Sequence, residues 1–428
     1  MKEIKISIQR KGKNDMKKTV LKEYARLLAT CGLSIKKGDV VIINASLDQP
    51  DFVVMATEAC YKKGAARVMV EWDYQPLTKL AVRYRTLKSL GTIEEFEEAN
   101  LKYRLEKNPA MLYLLSDDPD GLAGINQEKM SKAAKMKYPI IKPYREAMDN
   151  KYKWCIASVP GNAWAKKVFP GERTNAAVEK LWNAILYTSR VLDAKGNLLD
   201  AVAEWDKHNK NFAEKCAYLN SLGLTELHYT ASNGTDLTVG LIPEGIFLGG
   251  GENTLGGEYY NPNIPTEETF TSPRAGSAEG IVYSSLPLSY RGQVIDKFSL
   301  RFEGGRAVEA RAEKNEELLK QMISMDEGAA MLGECALVPY DSPIRNSGIT
   351  FYETLFDENA ACHLAMGAGF TNCLRDYDKY TIAEAHEMGI NDSMIHVDFM
   401  IGTPDLSIVG KTADGREVQI FENGNWAF

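Results

Sequence analysis

Two of the chain's five histidines sit beside acidic residues, and together with one further glutamate they fall in three short segments of the last third. The segments are Gly333-Glu334-Cys335-Ala336-Leu337-Val338, Phe356-Asp357-Glu358-Asn359-Ala360-Ala361-Cys362-His363 and Ile395-His396-Val397-Asp398-Phe399-Met400-Ile401-Gly402. Imidazole and carboxylate ligands together suit zinc, cobalt, manganese or iron, and a carboxylate can bridge two such ions. These residue types point to a carboxylate-rich, hydrolytic metal site, expected to be dinuclear.

His396 and Asp398 form the sharpest pair. Met394 to Ile401 reads as a strand, whose alternation puts His396, Asp398 and Met400 on one face and Val397, Phe399 and Ile401 on the other. The alternative is a buried His–Asp hydrogen-bonded pair. Glu334 precedes the strand-like Ala336-Leu337-Val338, where a buried carboxylate needs a partner or a metal; an exposed strand end is the other reading. Glu358 and His363 read as part of a helix capped near Asp357, on which a five-residue separation turns them apart by about 140°. Glu358 could there simply satisfy the helix dipole. Glu267 and Glu268 follow a proline, and on extended backbone they face opposite ways, so one of them at most serves a given ion. Other candidates fall away. His386-Glu387 lacks the second histidine of a zinc-protease helix, since position 390 is isoleucine. Cys362 beside His363 makes no dyad, His208 and His228 have no acidic constellation, and no Gly-x-Ser-x-Gly elbow occurs.

The elements that must position these residues divide by pattern. Up to about residue 190 helical and strand patterns alternate: a helical run from Val20 to Leu33, a strand from Val40, a helix N-capped by Asp51 and closed by Gly64, and a strand from Arg67 to Trp72. Further strands are expected at Met111–Leu115 and Trp154–Ser158. This is the grammar of an α/β domain with a mainly parallel sheet and helices on both faces. The loop Asn44 to Pro50 has no dinucleotide fingerprint, so this half is expected to be structural or gating. Two helical patterns fill Thr174 to Leu222. Beyond Leu224 short alternating runs lie between Gly-, Asn- and Pro-rich turns, as in a mainly antiparallel β domain with a few helices. Gly249-Gly250-Gly251 reads as a flexible turn. The expected domains are 1–190 and 191–428, the second holding the metal and the catalysis.

Composition narrows the function. At 428 residues with 44% hydrophobic and 25% charged residues, the chain is that of a soluble globular protein of two domains. A net charge of −7 without a basic stripe argues against nucleic acid and anionic membranes as partners. The N-terminal stretch Met1 to Lys13 lacks a signal-peptide core, and no apolar run reaches transmembrane length. Seven scattered cysteines show neither metal spacing nor a disulfide framework, and a cytoplasmic enzyme is expected.

Taken in order, the segments resemble the metalloaminopeptidase family typified by aminopeptidase T, aminopeptidase S and PepS. The matching stretches are Asn261 to Pro273 (Asn-Pro-Asn-Ile-Pro-Thr-Glu-Glu-Thr-Phe-Thr-Ser-Pro), Leu300 to Arg306, Leu332 to Pro339, Thr354 to Ala365 and Gly389 to Gly402. The likeness extends from Lys36 to Val68, and so covers most of the chain. It implies two divalent ions (zinc, cobalt, manganese or magnesium), held by Glu268, Glu334, Glu358, His363, His396 and Asp398. It also implies an N-terminal α/β domain, a C-terminal β-rich catalytic domain and a homodimer that encloses the active sites. One position departs from the family pattern. Members often carry a tyrosine seven residues after the histidine of Asp-Glu-Asn-Ala-Ala-x-His, where this chain has Phe370. The expected activity is release of N-terminal residues from short peptides by a metal-activated water, with Glu334 bridging the ions and Glu267 shuttling a proton. The alternatives are a dinuclear amidase or phosphoesterase, or a non-catalytic metal- or peptide-binding protein.

Overall fold

A computed structural model describes residues 13–428; the N-terminal stretch read above for a leader segment lies outside them but for its last residue. Two compact units emerge. One comprises the chain up to Lys210 together with Gly250–Thr266, the other Asn211–Gly249 together with Glu267–Phe428. The boundary falls inside the helix Ala201–Ser221, where the sequence pattern does not change.

The first unit is built on four parallel strands. Val40–Ser46 is flanked by Arg67–Asp73 and Ala110–Leu115, and Trp154–Ser158 lies outside the latter. Parallel neighbours need long crossovers, which the helices Pro50–Lys63, Glu95–Lys107 and Gln127–Met148 help to supply. Val41, Ile42 and Ile43 are all buried, as a continuous apolar run in a covered sheet requires. Local chemistry corrects one boundary. Pro50 opens its helix, because its missing N–H and fixed φ suit the first position, so Gln49 is the N-cap and Asp51 lies inside the first turn. The first helical run also differs: Lys13–Leu27 is α-helical and Leu28–Gly32 opens into a wider π turn. Lys153, only 5% exposed, donates to Asp39 Oδ2 at 2.6 Å and Glu258 Oε1 at 3.2 Å, and to the Ser34 carbonyl at 3.2 Å.

The second unit is antiparallel. A nine-stranded sheet runs from Leu288–Tyr290 through Gln293–Glu303, Pro273–Tyr283, Asp236–Leu241, Leu224–Thr230, Ser407–Thr412 and Glu417–Glu422 to Asn425–Trp426, with Arg306–Lys314 beside Gln293–Glu303. A five-stranded sheet has the order His396–Met400, His363–Gly367, Leu332–Leu337, Thr269–Thr271, Leu248–Gly249. Part of the glycine run expected to be a turn is therefore strand. The two sheets share one apolar core, to which the first contributes Leu237, Val239, Phe298 and Phe302, and the second Cys335, Leu337, Leu364, Met366 and Phe399. That core claims one face of the five-stranded sheet. Alternation sends Glu334, His363, His396 and Asp398 to the other.

Candidate metal centre

Ladder register assembles the site. Glu334 stands opposite Ala365, which stands opposite Asp398, so the two carboxylates flank a methyl group. The next row is Ala336, His363 and Met400, and His396 pairs with Gly367 at the far end of its strand. Small residues at Ala336 and Ala365 leave open the space into which the polar side chains point. A register irregularity between Leu332 and Glu334 centres on Gly333. A Cβ there would lie 2.2 Å from the Ala368 carbonyl oxygen, so only glycine allows this strand to come so close. Glu268 enters from the residue before the strand Thr269–Thr271.

His363 and Glu358 are not on a common helix. The helix Thr354–Asp357 gives way to a 3-10 turn over Glu358–Ala360, Ala361 is extended, and His363 begins a strand. The physical reason is Asp357. Its carboxylate accepts from the N–H groups of Phe351 and Glu353, upstream of it, so it ties off the preceding turn instead of capping a following helix. His363 is then captured by ladder bonds to the strands on both sides. The separation of Cys362 from His363 holds for a different reason: the Cys362 sulfur donates to the Val338 carbonyl at 3.2 Å and accepts from its N–H at 3.3 Å.

The side chains form two donor groups that share one residue. Glu268, Glu334 and His363 make one, Glu334, His396 and Asp398 the other, each with ligand atoms within 4.8 Å of one another. His363 Nε2 lies 3.0 Å from Glu268 Oε2, and His396 Nε2 lies 3.0 Å from Glu334 Oε2 and 3.2 Å from Asp398 Oδ1. Each ring donates its Nδ1–H to a backbone carbonyl, His363 to Ala361 at 3.2 Å and His396 to Ala368 at 2.7 Å. A carbonyl can only accept, so this fixes the proton on Nδ1 and turns Nε2 toward the carboxylates. Glu358 stays outside both triplets, with Oε1 accepting from Asn359 Nδ2 at 3.3 Å, but it feels the charges of Asp398, Glu268 and Glu334. Glu267 and Glu268 are both buried. The Glu267 N–H donates to Asn359 Oδ1 at 2.6 Å.

Electrostatics show the strain of this assembly. Burial pushes the Glu334 carboxyl up to about 7, with the charges of Asp398 and Glu268 adding to it against the pull of His396. Burial and then Asp398, Glu268 and Glu334 push Glu358 well above the ordinary range. Burial works against the His363 imidazolium, yet the hydrogen bond and charge of Glu268 prevail and lift it to about 9. His396 is raised likewise, burial being outweighed by Asp398 and Glu334, while His396 in turn holds Asp398 below its usual value against its own burial. Asp398 Oδ1 is a buried acceptor without a well-aligned donor among the described residues. Oxygen and nitrogen donors, an orphaned carboxylate oxygen and two Nε2 atoms aimed inward fit a divalent cation.

Several neighbours left no mark in the sequence reading. The backbone carbonyls of Ala361 and Ala368 carry no signature in residue type, and Asn359, though adjacent to Glu358, gave no sign of reaching Glu267. Phe370 packs on the centre, its ring centroid 4.7 Å from that of His396 and 5.7 Å from that of Phe270.

Comparison with known proteins covers nearly the whole chain. The sequence profile of the thermophilic metalloprotease (M29) family matches residues 17–426. Aminopeptidase AmpS of Bacillus subtilis (strain 168) is 39% identical over 409 residues, 95% of this chain and 98% of its own length. Aminopeptidase PepS of Streptococcus thermophilus is 38% identical, covering 95% of this chain and 97% of the relative. The solved structure of wild-type AmpT from Thermus thermophilus superposes with a TM-score of 0.84 at 36% identity, covering 96% of this chain and 100% of that one.

Proposed function

The chain belongs to the thermophilic metalloprotease (M29) family and is a metal-dependent aminopeptidase, and we propose that it cleaves peptides at the cluster just described. Glu268, Glu334, Glu358, His363, His396 and Asp398 would be the ligands of two divalent ions, zinc, cobalt, manganese or magnesium. The observation that carries this reading is Glu334's membership of both donor groups, which is the placement a bridging carboxylate needs. A divalent ion in such a site supplies a Lewis acid for the scissile carbonyl and makes water acidic enough to attack near neutral pH.

The chain's own residues do the rest. The carbonyls of Ala361 and Ala368 hold the imidazoles in the tautomer that leaves Nε2 free to ligate. Glu267 lies one residue from a ligand but outside both donor groups, and Asn359 holds its backbone; its carboxylate is the proposed carrier of the proton from water to the leaving amine. The substrates would be short peptides with a free amino terminus. We assign catalysis to the second unit, which is the expected domain 191–428 less residues 191–210 and 250–266, and expect a homodimer acting in the cytoplasm. Supporting this is the family resemblance; among the described residues no helix is long and apolar enough to cross a membrane.

One assay tests the activity. Chelator-stripped protein is given cobalt or zinc and offered aminoacyl chromogenic amides, an N-blocked peptide and an aryl phosphate. Metal-dependent cleavage of the amides alone is the expected result; cleavage of the phosphate, or of the blocked peptide equally well, would sink it. The ligand assignment has its own test. Glu268→Gln should lower metal occupancy by elemental analysis, while Glu267→Gln should keep the metal and slow turnover by about 10²-fold, the usual worth of a positioned acid–base group. The reverse pattern would exchange their roles.

A further inference from the structure

His363 and His396 are fixed by different means. His363 donates to a carbonyl two residues away in its own chain segment, whereas His396 depends on the Ala368 carbonyl, which lies just past the end of another strand. That carbonyl belongs to the same peptide group as the Gly369 N–H, which donates 2.9 Å to the Asn391 carbonyl. The preceding peptide is gripped as well. Its Ala368 N–H donates to the Ile395 carbonyl at 2.7 Å, and its Gly367 carbonyl accepts from Asn391 Nδ2 at 2.6 Å. The second hydrogen of the same amide goes to the Gly328 carbonyl at 2.9 Å. Asn391 is 3% exposed and closes on these groups from both its side chain and its backbone.

We infer that Asn391 is a positioning residue for the candidate metal centre, acting through the Gly367–Ala368–Gly369 backbone to set the orientation and tautomer of His396. The inference rests on the reading of His396 as a metal ligand. Asn391 thus holds two consecutive peptide planes at the exit of one strand, the first through its buried amide and the second through its backbone carbonyl, while its other amide hydrogen anchors it to Gly328. The carbonyl of the second plane, that of Ala368, meets His396 Nδ1. Gly333 bounds the same carbonyl from the other side by having no Cβ. Without the Asn391 amide the Gly367 carbonyl loses its partner, the first plane is left to the Ala368 N–H bond alone, and its rotation turns the adjoining Ala368 carbonyl away from Nδ1.

Two readouts test this in Asn391→Ala, with Asn391→Asp as a variant of unchanged size should the first not fold. In metal-free protein, where both rings carry a second proton on Nε2, nitrogen-15 spectra of the five histidines report the hydrogen bond at each ring nitrogen; the His396 Nδ1–H signal should move toward that of a solvent-bonded N–H while that of His363 stays put. Titration of zinc or cobalt into the stripped protein should then show affinity weakened by about 10- to 100-fold, the usual effect of losing a partner behind a ligand. A merely structural asparagine would lower the melting temperature and leave both the His396 Nδ1–H signal and the metal affinity unchanged, and that outcome overturns the inference. If His396→Ala leaves metal affinity unchanged, the ligand reading fails instead, and the Nδ1–H signal in Asn391→Ala still decides whether Asn391 orients the ring.

Discussion

Both units bury charge, and they balance it differently. In the first, Asp39 and Glu258 share the ammonium of Lys153, a cation supplied by the chain itself. In the second, the carboxylates of Glu268, Glu334, Glu358 and Asp398 face the imidazoles of His363 and His396. Were all four carboxylates ionised, four negative charges would meet two positive ones even with both rings protonated, and burial with mutual repulsion accordingly lifts Glu334 to about 7 and Glu358 well above the ordinary carboxylate range. Unpaired buried charge is expensive, so a chain that tolerates such an excess is shaped for a cation it does not encode. The contrast separates an ion pair that serves the fold from a cluster that serves chemistry.

The largest test of that contrast removes a ligand. His396→Ala or Asp398→Ala should cut aminopeptidase turnover by on the order of 10³-fold, about 4 kcal/mol in the barrier, with circular dichroism unchanged. Full activity in either variant, or in protein shown by elemental analysis to be free of metal, would dismantle the proposed centre.

A second test follows stability against pH. Glu334, lifted to about 7, binds its proton more tightly folded than unfolded, so its contribution is whole below the ordinary carboxylate value and is lost as pH rises through 7. His363, lifted to about 9, contributes fully below the ordinary imidazole value and loses that contribution as pH rises through 9. Both act in the same direction, so chelated protein should lose roughly 3 kcal/mol or more between about pH 5 and pH 9. Saturating metal should remove most of that slope. Melting curves that run parallel with and without metal would mean the cluster carries no excess charge.

Lys153→Met probes the self-balanced side. Its partners are partly exposed, which screens the charges left behind, and a loss of about 1–2 kcal/mol in urea unfolding is expected, independent of metal. Dependence on metal would break the division between the two regions. Phe370→Tyr is the smallest change. It places a hydroxyl on the ring packed against His396, and a threefold rise in kcat at unchanged KM is expected if that group reaches the developing oxyanion. A neutral result leaves that stabilisation to the metal.

How far the sequence was legible depends on the range of the interaction. The strand carrying His396 and Asp398 shows itself by alternation alone: Phe399 and Ile401 lie in the core and Val397 packs against it. The four strands of the parallel sheet, being apolar runs between helical patterns, read equally well. The segment around His363 does not, because Ala-Ala-Cys-His-Leu-Ala has helical character and what overrides it is pairing with strands tens of residues away. Pro50 displaced the expected cap at Asp51 through its own covalent geometry. The carbonyl acceptors of the two imidazoles were invisible for the plainest reason: every residue has a carbonyl.

Cys335 follows Glu334 directly, and Cys362 precedes His363. Both sulfurs are buried among apolar groups, and burial pushes each thiol up to about 12, so neither is available as a thiolate. The pleat thus sorts hard donors from soft ones. A one-residue slip along either strand would exchange oxygen or nitrogen for sulfur at the centre and turn a site suited to hydrolysis into one that sequesters thiophilic metals. Register, ordinarily a matter of which residues stay dry, here also decides which elements of the periodic table the protein can use.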